Sequence, residues 1–474
     1  MEIRDFIEQN MQNMIDDITE FVAIPSVFDP ETATAEKPFG EEVIRGLEWI
    51  LAKAETMGFA VKNIDGYAGE ITAGSGDYII GVLAHEDVVA GGDDWDTPAF
   101  EAVVKDGTLY GRGTIDDKGP LISALYGMKY LMDEGKIPEG TALRMIVGTN
   151  EEEDWGGINY YVDHVDKLPD YSIVPDGYFP LIYCEKGLLD FDVSMKLEDM
   201  EDDAEVVVKA LHGGTAKNVV AGKVYATLTC KGMKEKKVAA ALNRVEGIEA
   251  SAGILMEDGV GTGTVEVVVQ GQSAHAMVPE KGLNAISVLM KALNELLWTT
   301  SIDPFVETYS EIIGMGHNGK EMGIGFEDEL SGILTQNIGV IRMEDDVITL
   351  ECNIRYPASL EKETTIEAIR SAWENAGFDF TQRAYLPPVY TKPDSPLVQK
   401  LMDVYQNVTG DTESEAMAIG GATYARGIPN AVAFGPLFPY EEELAHEANE
   451  CLNLESLNKM TEIYICALES LLNM

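Results

Sequence analysis

Apolar positions along this chain fall into two textures. Over the first 186 residues, segments with helical spacing alternate with short continuous apolar runs. Residues 41–58 (EEVIRGLEWILAKAETMG) repeat apolar side chains every three or four positions and close on Gly58, which suits the position just past a helix end. YIIGVLAH (78–85) is nearly continuous, as expected of a strand buried on both faces. ALRMIVGT (142–149) and YSIVPDG (171–177) read the same way, and LISALYGMKYLMDEG reads as a helix after Lys118-Gly119-Pro120. Asp106-Gly107 in KDGTLYGRG predicts a hairpin turn. Strands alternating with helices predict an α/β sheet with ligands at the strand C-terminal ends.

From Gly187 the period changes. LLDFDVSMKLE and VYATLTCKGM alternate with period two, and the acidic insert EDMEDDAE falls between β-like stretches. SAHAMVPEKGLNAISVLMKALNELL reads as a turn into a helix, and GILTQNIGVIRMEDDVITLECNIRYP as a hairpin turning at Glu344-Asp345-Asp346. After Tyr385-Leu386-Pro387-Pro388 the order helix, glycine loop, strand, helix returns. No internal repeat or low-complexity linker separates these stretches.

The ends of the apolar runs carry the chemistry. His85, Asp116, Glu152, Asp176 and His446 each sit beside small or turn residues, and Asp87 and Glu151 ride alongside. Imidazole and carboxylate without thiolate is the donor set of a two-metal hydrolytic site. Residues two apart in a strand share a side, so Asp87 can lie by His85 and orient its ring. In Gly111-Arg112-Gly113-Thr114-Ile115-Asp116-Asp117, one carboxylate of Asp116 can bridge two cations, while Asp117 reads equally as a helix N-cap. Adjacent Glu151 and Glu152 repel unless a cation or proton intervenes, and they can divide the labour: Glu152 binds metal, Glu151 moves the proton. Taken singly, each has a plainer reading as an acidic turn or strand-end histidine. His164, His212 and His317 lack a strand-end setting and read as surface or loop histidines. His446 lies some 270 residues after Asp176, so a shared centre requires the chain to return to its starting domain.

Length and charge narrow the class. With 474 residues the chain exceeds what one core normally serves. Its net charge is −48, from 34 basic and 82 acidic side chains, which disfavours nucleic acid and anionic lipid as partners. MEIRDFIEQNMQNMIDDITEF reads as an amphipathic helix and not a signal peptide, and no run reaches the roughly 20 apolar residues of a membrane span. Five scattered cysteines without CxxC are expected to be reduced thiols in a cytoplasm.

HEDVV (85–89), GRGTIDDKGP (111–120), GTNEEE (148–153), PDGYFPLIYCEKG (175–187), GQSAHAMVPEKGLNA (271–285), NIRYP (353–357), GGATYAR (420–426) and FP…AHEANE (438–450) occur in this order. The ordered set resembles the di-zinc metallopeptidase family of PepV-type dipeptidases, carnosinases, acetylornithine deacetylase and succinyl-diaminopimelate desuccinylase. Length, EKG after PDG, GGATYAR and the large second module are most similar to the PepV type.

The resemblance implies a fold and roles. The fold is α/β: a zinc-peptidase-like catalytic domain with a central mixed sheet flanked by helices, formed by 1–186 and 388–474, plus an inserted α+β lid domain, 187–387. His85, Asp116 and Asp176 would hold one ion, and Asp116, Glu152 and His446 the other. Asp87 would tune His85, Glu151 would be the general base, and the Asp116–Asp117 peptide is often cis in such enzymes. On the lid, His275 would stabilise the oxyanion, Arg355 would clamp the substrate carboxylate, and Asn218 and the Gly420-Gly421 loop would assist. Arg355 also reads as a salt-bridged strand arginine, and Asn218 as an ordinary loop residue. One departure stands out: Ala90 replaces the usual proline after HxDVV, followed by Gly91-Gly92-Asp93-Asp94 near Trp95.

These readings converge on a cytoplasmic, monomeric dipeptidase using two divalent ions. Zinc fits the mixed ligands, and manganese or cobalt could serve. The rivals are an N-acyl amino acid amidohydrolase with the same metals and base, an inactive binding protein of the same fold, and an acidic calcium-storage protein with many weak sites.

Overall fold

The computed structural model describes residues 1–197, 203–257 and 260–474, so most of the acidic insert (198–202) lies outside the described residues. The chain forms two compact units. One comprises Met1–Tyr183, Tyr390–Met417 and Ala422–Met474; the other comprises Cys184–Val389 with Ala418–Gly421.

In the first unit, six strands of a mixed sheet lie in the order Ala60–Ile64, Ala68–Gly74, Gly140–Gly148, Gly76–His85, Tyr171–Val174, Ala431–Ala433. Gly76–His85 runs parallel to both Gly140–Gly148 and Tyr171–Val174, and Ala431–Ala433 is parallel to Tyr171–Val174. The two strands on the other side are antiparallel. Ile79 to His85 is buried without a break, as expected of a strand covered on both faces. Each Ile, Leu or Val fully buried there stabilises by roughly 1.5–3 kcal/mol relative to exposure.

Helix Lys118–Asp133 buries residues around nearly its whole circumference. It packs between the sheet and helices Ile3–Val22 and Leu454–Leu472, which is where a helix apolar on all sides belongs. Helix Glu41–Thr56 ends one residue before Met57, and Gly58 follows with φ +94°, the left-handed conformation that glycine adopts without cost. Asp106 and Gly107, both at positive φ, form the predicted tight turn between Val103–Lys105 and Thr108–Tyr110.

The second unit carries an eight-stranded antiparallel sheet in the order Ile248–Glu257, Val260–Gln270, Lys223–Cys230, Val206–Gly213, Thr335–Glu344, Val347–Tyr356, Gly187–Lys196, Asp379–Leu386. Lys223–Cys230 alternates buried and open positions, as its period-two sequence predicts. The hairpin at 344–346 turns on Asp345, at φ +51°. Helix Ala285–Asn294 starts where expected, with the Asn284 side chain accepting from the Ile286 and Ser287 amides. Helices Glu235–Leu242, Asp303–Ile312 and Lys362–Asn375 complete a separate core containing Phe191, Tyr309 and Trp373.

Candidate metal centre

Parallel pairing brings three strand ends together. His85 stands opposite Gly148, and Val82 opposite Ile173, so His85, the 149–152 loop and Asp176 leave the sheet at one edge. The strand end is tied further: Glu86 N–H donates to the Gly148 carbonyl at 3.0 Å, and Ser26 Oγ to the Glu86 carbonyl at 2.7 Å. Thr149 Oγ1 donates to the Tyr67 carbonyl at 2.6 Å, and Asn150 Oδ1 accepts from Gly156 N at 3.0 Å, which pins the loop bearing Glu151 and Glu152.

Asp116 enters from the segment before helix Lys118–Asp133. The Asp116–Asp117 peptide is cis. Lys118 is buried, donating from Nζ to the carbonyls of Phe21 (3.1 Å) and Ile24 (2.6 Å). Asp117 precedes the helix, but its side chain makes no capping bond; Oδ2 accepts the His85 amide at 3.2 Å instead. The N-cap reading of Asp117 is thus corrected to a tie between two ligand-bearing segments.

Asp116 faces two imidazoles at once. Its Oδ1 is 3.0 Å from His85 Nε2 and its Oδ2 is 3.0 Å from His446 Nε2. His446 Nε2 also lies 2.9 Å from Glu152 Oε2. Donor atoms of His85, Glu151 and Asp176 fall within 4.8 Å of one another, and so do those of Asp116, Glu152 and His446.

The electrostatics of this crowding are severe. Burial, then the charge of Asp176, pushes Glu151 well above the usual carboxylate range. Burial followed by the Asp116 charge raises Asp176 to about 7 and also lifts Glu152. Burial opposes charge on His85 and His446, yet hydrogen bonds and charges from the acids outweigh it. His85 ends well above its ordinary value and His446 at about 12. Asp116 is driven down despite its burial, chiefly by its hydrogen bonds to His446 and His85.

The donor set fits divalent cations. His85 Nδ1 lies 2.9 Å from the Asp87 carbonyl, which can only accept, so Nδ1 carries a proton and Nε2 is the nitrogen turned to Asp116. A ring nitrogen and a carboxylate oxygen 3.0 Å apart require a proton or a metal between them. His446 Nε2 poses the same requirement to three carboxylate oxygens. Cations bound by N and O at roughly 2.0–2.2 Å would satisfy both.

The model of the peptidase family M20/M25/M40 matches residues 81–470. The chain belongs to this family. A Bacillus subtilis (strain 168) relative bearing the name "Putative dipeptidase YtjP" is 35% identical over 461 residues, covering 97% of each chain. Two solved structures share the fold. Human carnosine dipeptidase 1 is similar with a TM-score of 0.60 at 15% identity, covering 100% of this chain and 98% of its own. The di-peptidase Dug1p of Saccharomyces cerevisiae gives 0.61 at 14%, with the same coverage.

Within this M20-family chain the orienting group of His85 differs from the sequence expectation. The Asp87 carboxylate lies 3.6 Å from His85 Nδ1, farther than the Asp87 carbonyl, and Asp87 Oδ2 accepts the Glu152 amide at 3.0 Å. Asp87 thus holds both His85 and Glu152, one through its backbone and the other through its side chain.

His275, Asn218, Arg355 and Gly421 belong to the second unit. His275 and Asn218 are exposed neighbours: the Asn218 carbonyl accepts the Ala276 amide at 2.9 Å. Arg355 is buried, with Nε donating to Asn353 Oδ1 at 2.8 Å and Nη1 to the Gly420 carbonyl at 2.9 Å. Of the other histidines, His164 stacks on Tyr160 and His212 on Tyr225.

Sequence reasoning passed over Glu450 and Arg112, both buried beside the ligand segments. Glu450 looked like one more acid in an acidic chain. A lone arginine between Gly111 and Gly113 in so acidic a protein was the available signal.

Proposed function

We propose that this chain is a dipeptidase working with two divalent cations, for which zinc is the best match to the ligands. His85, Asp116 and Asp176 hold one ion, and Asp116, Glu152 and His446 the other. The observation that carries this reading is the single Asp116 carboxylate facing both His85 and His446 at 3.0 Å. When bound, the cations supply Lewis acidity to the scissile carbonyl and make the attacking water easier to deprotonate.

Glu151 takes the proton from that water. The water oxygen bonds to the carbonyl carbon, the C–N bond breaks, and Glu151 returns the proton to the departing nitrogen. Asp87 keeps His85 and Glu152 in register throughout. In the second unit His275 donates to the developing oxyanion, a contribution worth roughly 10²–10³ in rate. Arg355 receives the terminal carboxylate, while Asn218 and the Gly421 amide flank the scissile group. A site that grips the carboxylate end measures substrate length, and the acidic surface suits a free α-amine.

The name carried by the Bacillus relative supports the same substrate class. The size of the second unit supports a functional monomer, to be checked by sedimentation. Five scattered cysteines without CxxC suit a reducing cytoplasm. The deciding experiment sets a dipeptide panel against N-acetyl and N-succinyl amino acids on zinc-loaded protein. Turnover of dipeptides is expected. Turnover of the acyl amino acids alone replaces this reading with an amidohydrolase.

A further inference from the structure

The carboxylate of Glu450 sits at the focus of a loop. Its Oε1 accepts three amides of the Asp116 segment: Gly113 at 2.9 Å, Ile115 at 3.0 Å and Asp116 itself at 3.2 Å. Its Oε2 accepts from Arg112 Nη1 at 2.7 Å, and both side chains are at most 2% exposed. The other arm of the guanidinium, Nη2, donates to the carbonyl of His446 at 3.2 Å and of Ala90 at 3.4 Å. The ring of Trp95 lies 5.3 Å from the guanidinium carbon. Backbone pairing anchors the arrangement: Gly111 N–H donates to the Glu450 carbonyl at 3.0 Å, and Cys451 pairs with Tyr110.

Two segments more than 300 residues apart are thereby joined through one ion pair. One presents Asp116, the other His446. His446 and Asn449 both stand at positive φ, φ +67° and +63°, so their turn leans on its surroundings for its shape. Gly113, at φ +89°, lets the loop turn its amides inward toward one oxygen. Both side chains are buried and bonded to the backbone of the ligand segments, so their effect runs through the ligands they hold.

We infer that Glu450 and Arg112 are positioning residues that set the spacing of Asp116 and His446, and with it the affinity of the centre for its second cation. The inference rests on the two-cation reading above. Groups behind metal ligands typically change metal affinity by roughly 10–100-fold when removed. The cation held by Asp116, Glu152 and His446 should therefore weaken by that factor in Glu450→Ala. The ion at His85 and Asp176 should weaken less, because only the shared Asp116 is disturbed. Glu450→Gln keeps an oxygen for the three amides and should retain more affinity than Glu450→Ala. Arg112→Lys keeps the charge but cannot reach Glu450 and His446 together, and should weaken the same step.

The test is titration of metal-free protein with Zn²⁺ against a chromogenic chelator, with circular dichroism confirming the fold of each variant. Wild-type protein should take two ions, and Glu450→Ala should take one tightly and one weakly. Two ions bound with unchanged affinity by folded Glu450→Ala would overturn the inference while leaving the paired centre intact. Wild-type protein that takes fewer than two ions tightly would instead remove the two-cation reading, and the inference with it. If Glu450→Ala does not fold, Glu450→Gln and Arg112→Lys decide in the same way. A purely structural role would lower their thermal midpoints and leave both zinc steps at wild-type affinity.

Discussion

Two polar clusters in this protein solve the cost of buried charge in opposite ways. In the second unit the groups alternate in sign and type: Lys217 Nζ meets Asp190 Oδ2 at 3.1 Å, Asn353 Nδ2 donates to Asp190 Oδ1 at 2.5 Å, Arg355 donates to Asn353 and then to the Gly420 carbonyl. Every link has a donor facing an acceptor, and the row holds itself together. In the first unit four carboxylates, Asp116, Glu151, Glu152 and Asp176, crowd around two imidazoles. Like charges confined in low dielectric repel, and burial with that repulsion pushes Glu151, Glu152 and Asp176 upward even with two imidazoles beside them. The paired row is complete in itself; the crowded one has the donor set of a cation site. The lesson is that buried acids locate function when their neighbours fail to satisfy them.

Chelation should break the contrast most strongly. Exhaustive removal of divalent ions is expected to abolish hydrolysis. It should also remove the linkage stabilisation, about 4 kcal/mol for an ion present at 1,000 times its Kd. Calorimetry should show the first unit melting earlier and the second unchanged. Equal shifts in both, or full activity after chelation, would contradict the assignment.

Glu151→Gln comes next. It removes the proton acceptor and leaves the ligands, so kcat should drop by roughly 10²–10⁴ while two metal ions per chain remain by elemental analysis. Unchanged turnover would strip Glu151 of its role.

Asp190→Ala probes the other cluster. It leaves the Asn353 amide without its acceptor in a buried setting, at a cost of about 1–3 kcal/mol in denaturant unfolding of the second unit. Metal content should not change. Loss of bound metal in this variant would mean the clusters are not independent.

The smallest effect concerns thiols. Burial lifts Cys230 and Cys466 to about 11, one in each unit, against an ordinary 9.0. At pH 8 their thiolate fraction should therefore be about a hundredfold below that of a free thiol. Disulfide-exchange reagents should react slowly in native protein and count five thiols after denaturation. Rapid native reaction at either position would show that its thiol is not held in a buried setting.

Much of the architecture could be read before any coordinates. YIIGVLAH declared a doubly buried strand because no polar residue interrupts it, and Asp106-Gly107 declared its turn because both residues tolerate positive φ. The α/β class and the peptidase family followed from such stretches and from the ordered motifs. What remained hidden were relations that no local pattern carries. That His85 leans on the Asp87 carbonyl, and not its carboxylate, depends on how the chain bends after the strand. That Asp117 ties the His85 amide depends on which loop lies beside the strand. Glu450 was invisible because its three amide donors lie 334 to 337 positions away in sequence.

That separation has a temporal meaning. Translation releases His85, Asp116, Glu152 and Asp176 early, then hundreds of further residues, including the entire eight-stranded sheet, before position 446 emerges. A chain grown only that far carries Asp116 and Glu152 without the imidazole that both face in the folded protein. The cluster therefore closes only when that late segment pairs with the early one, as Cys451 does with Tyr110.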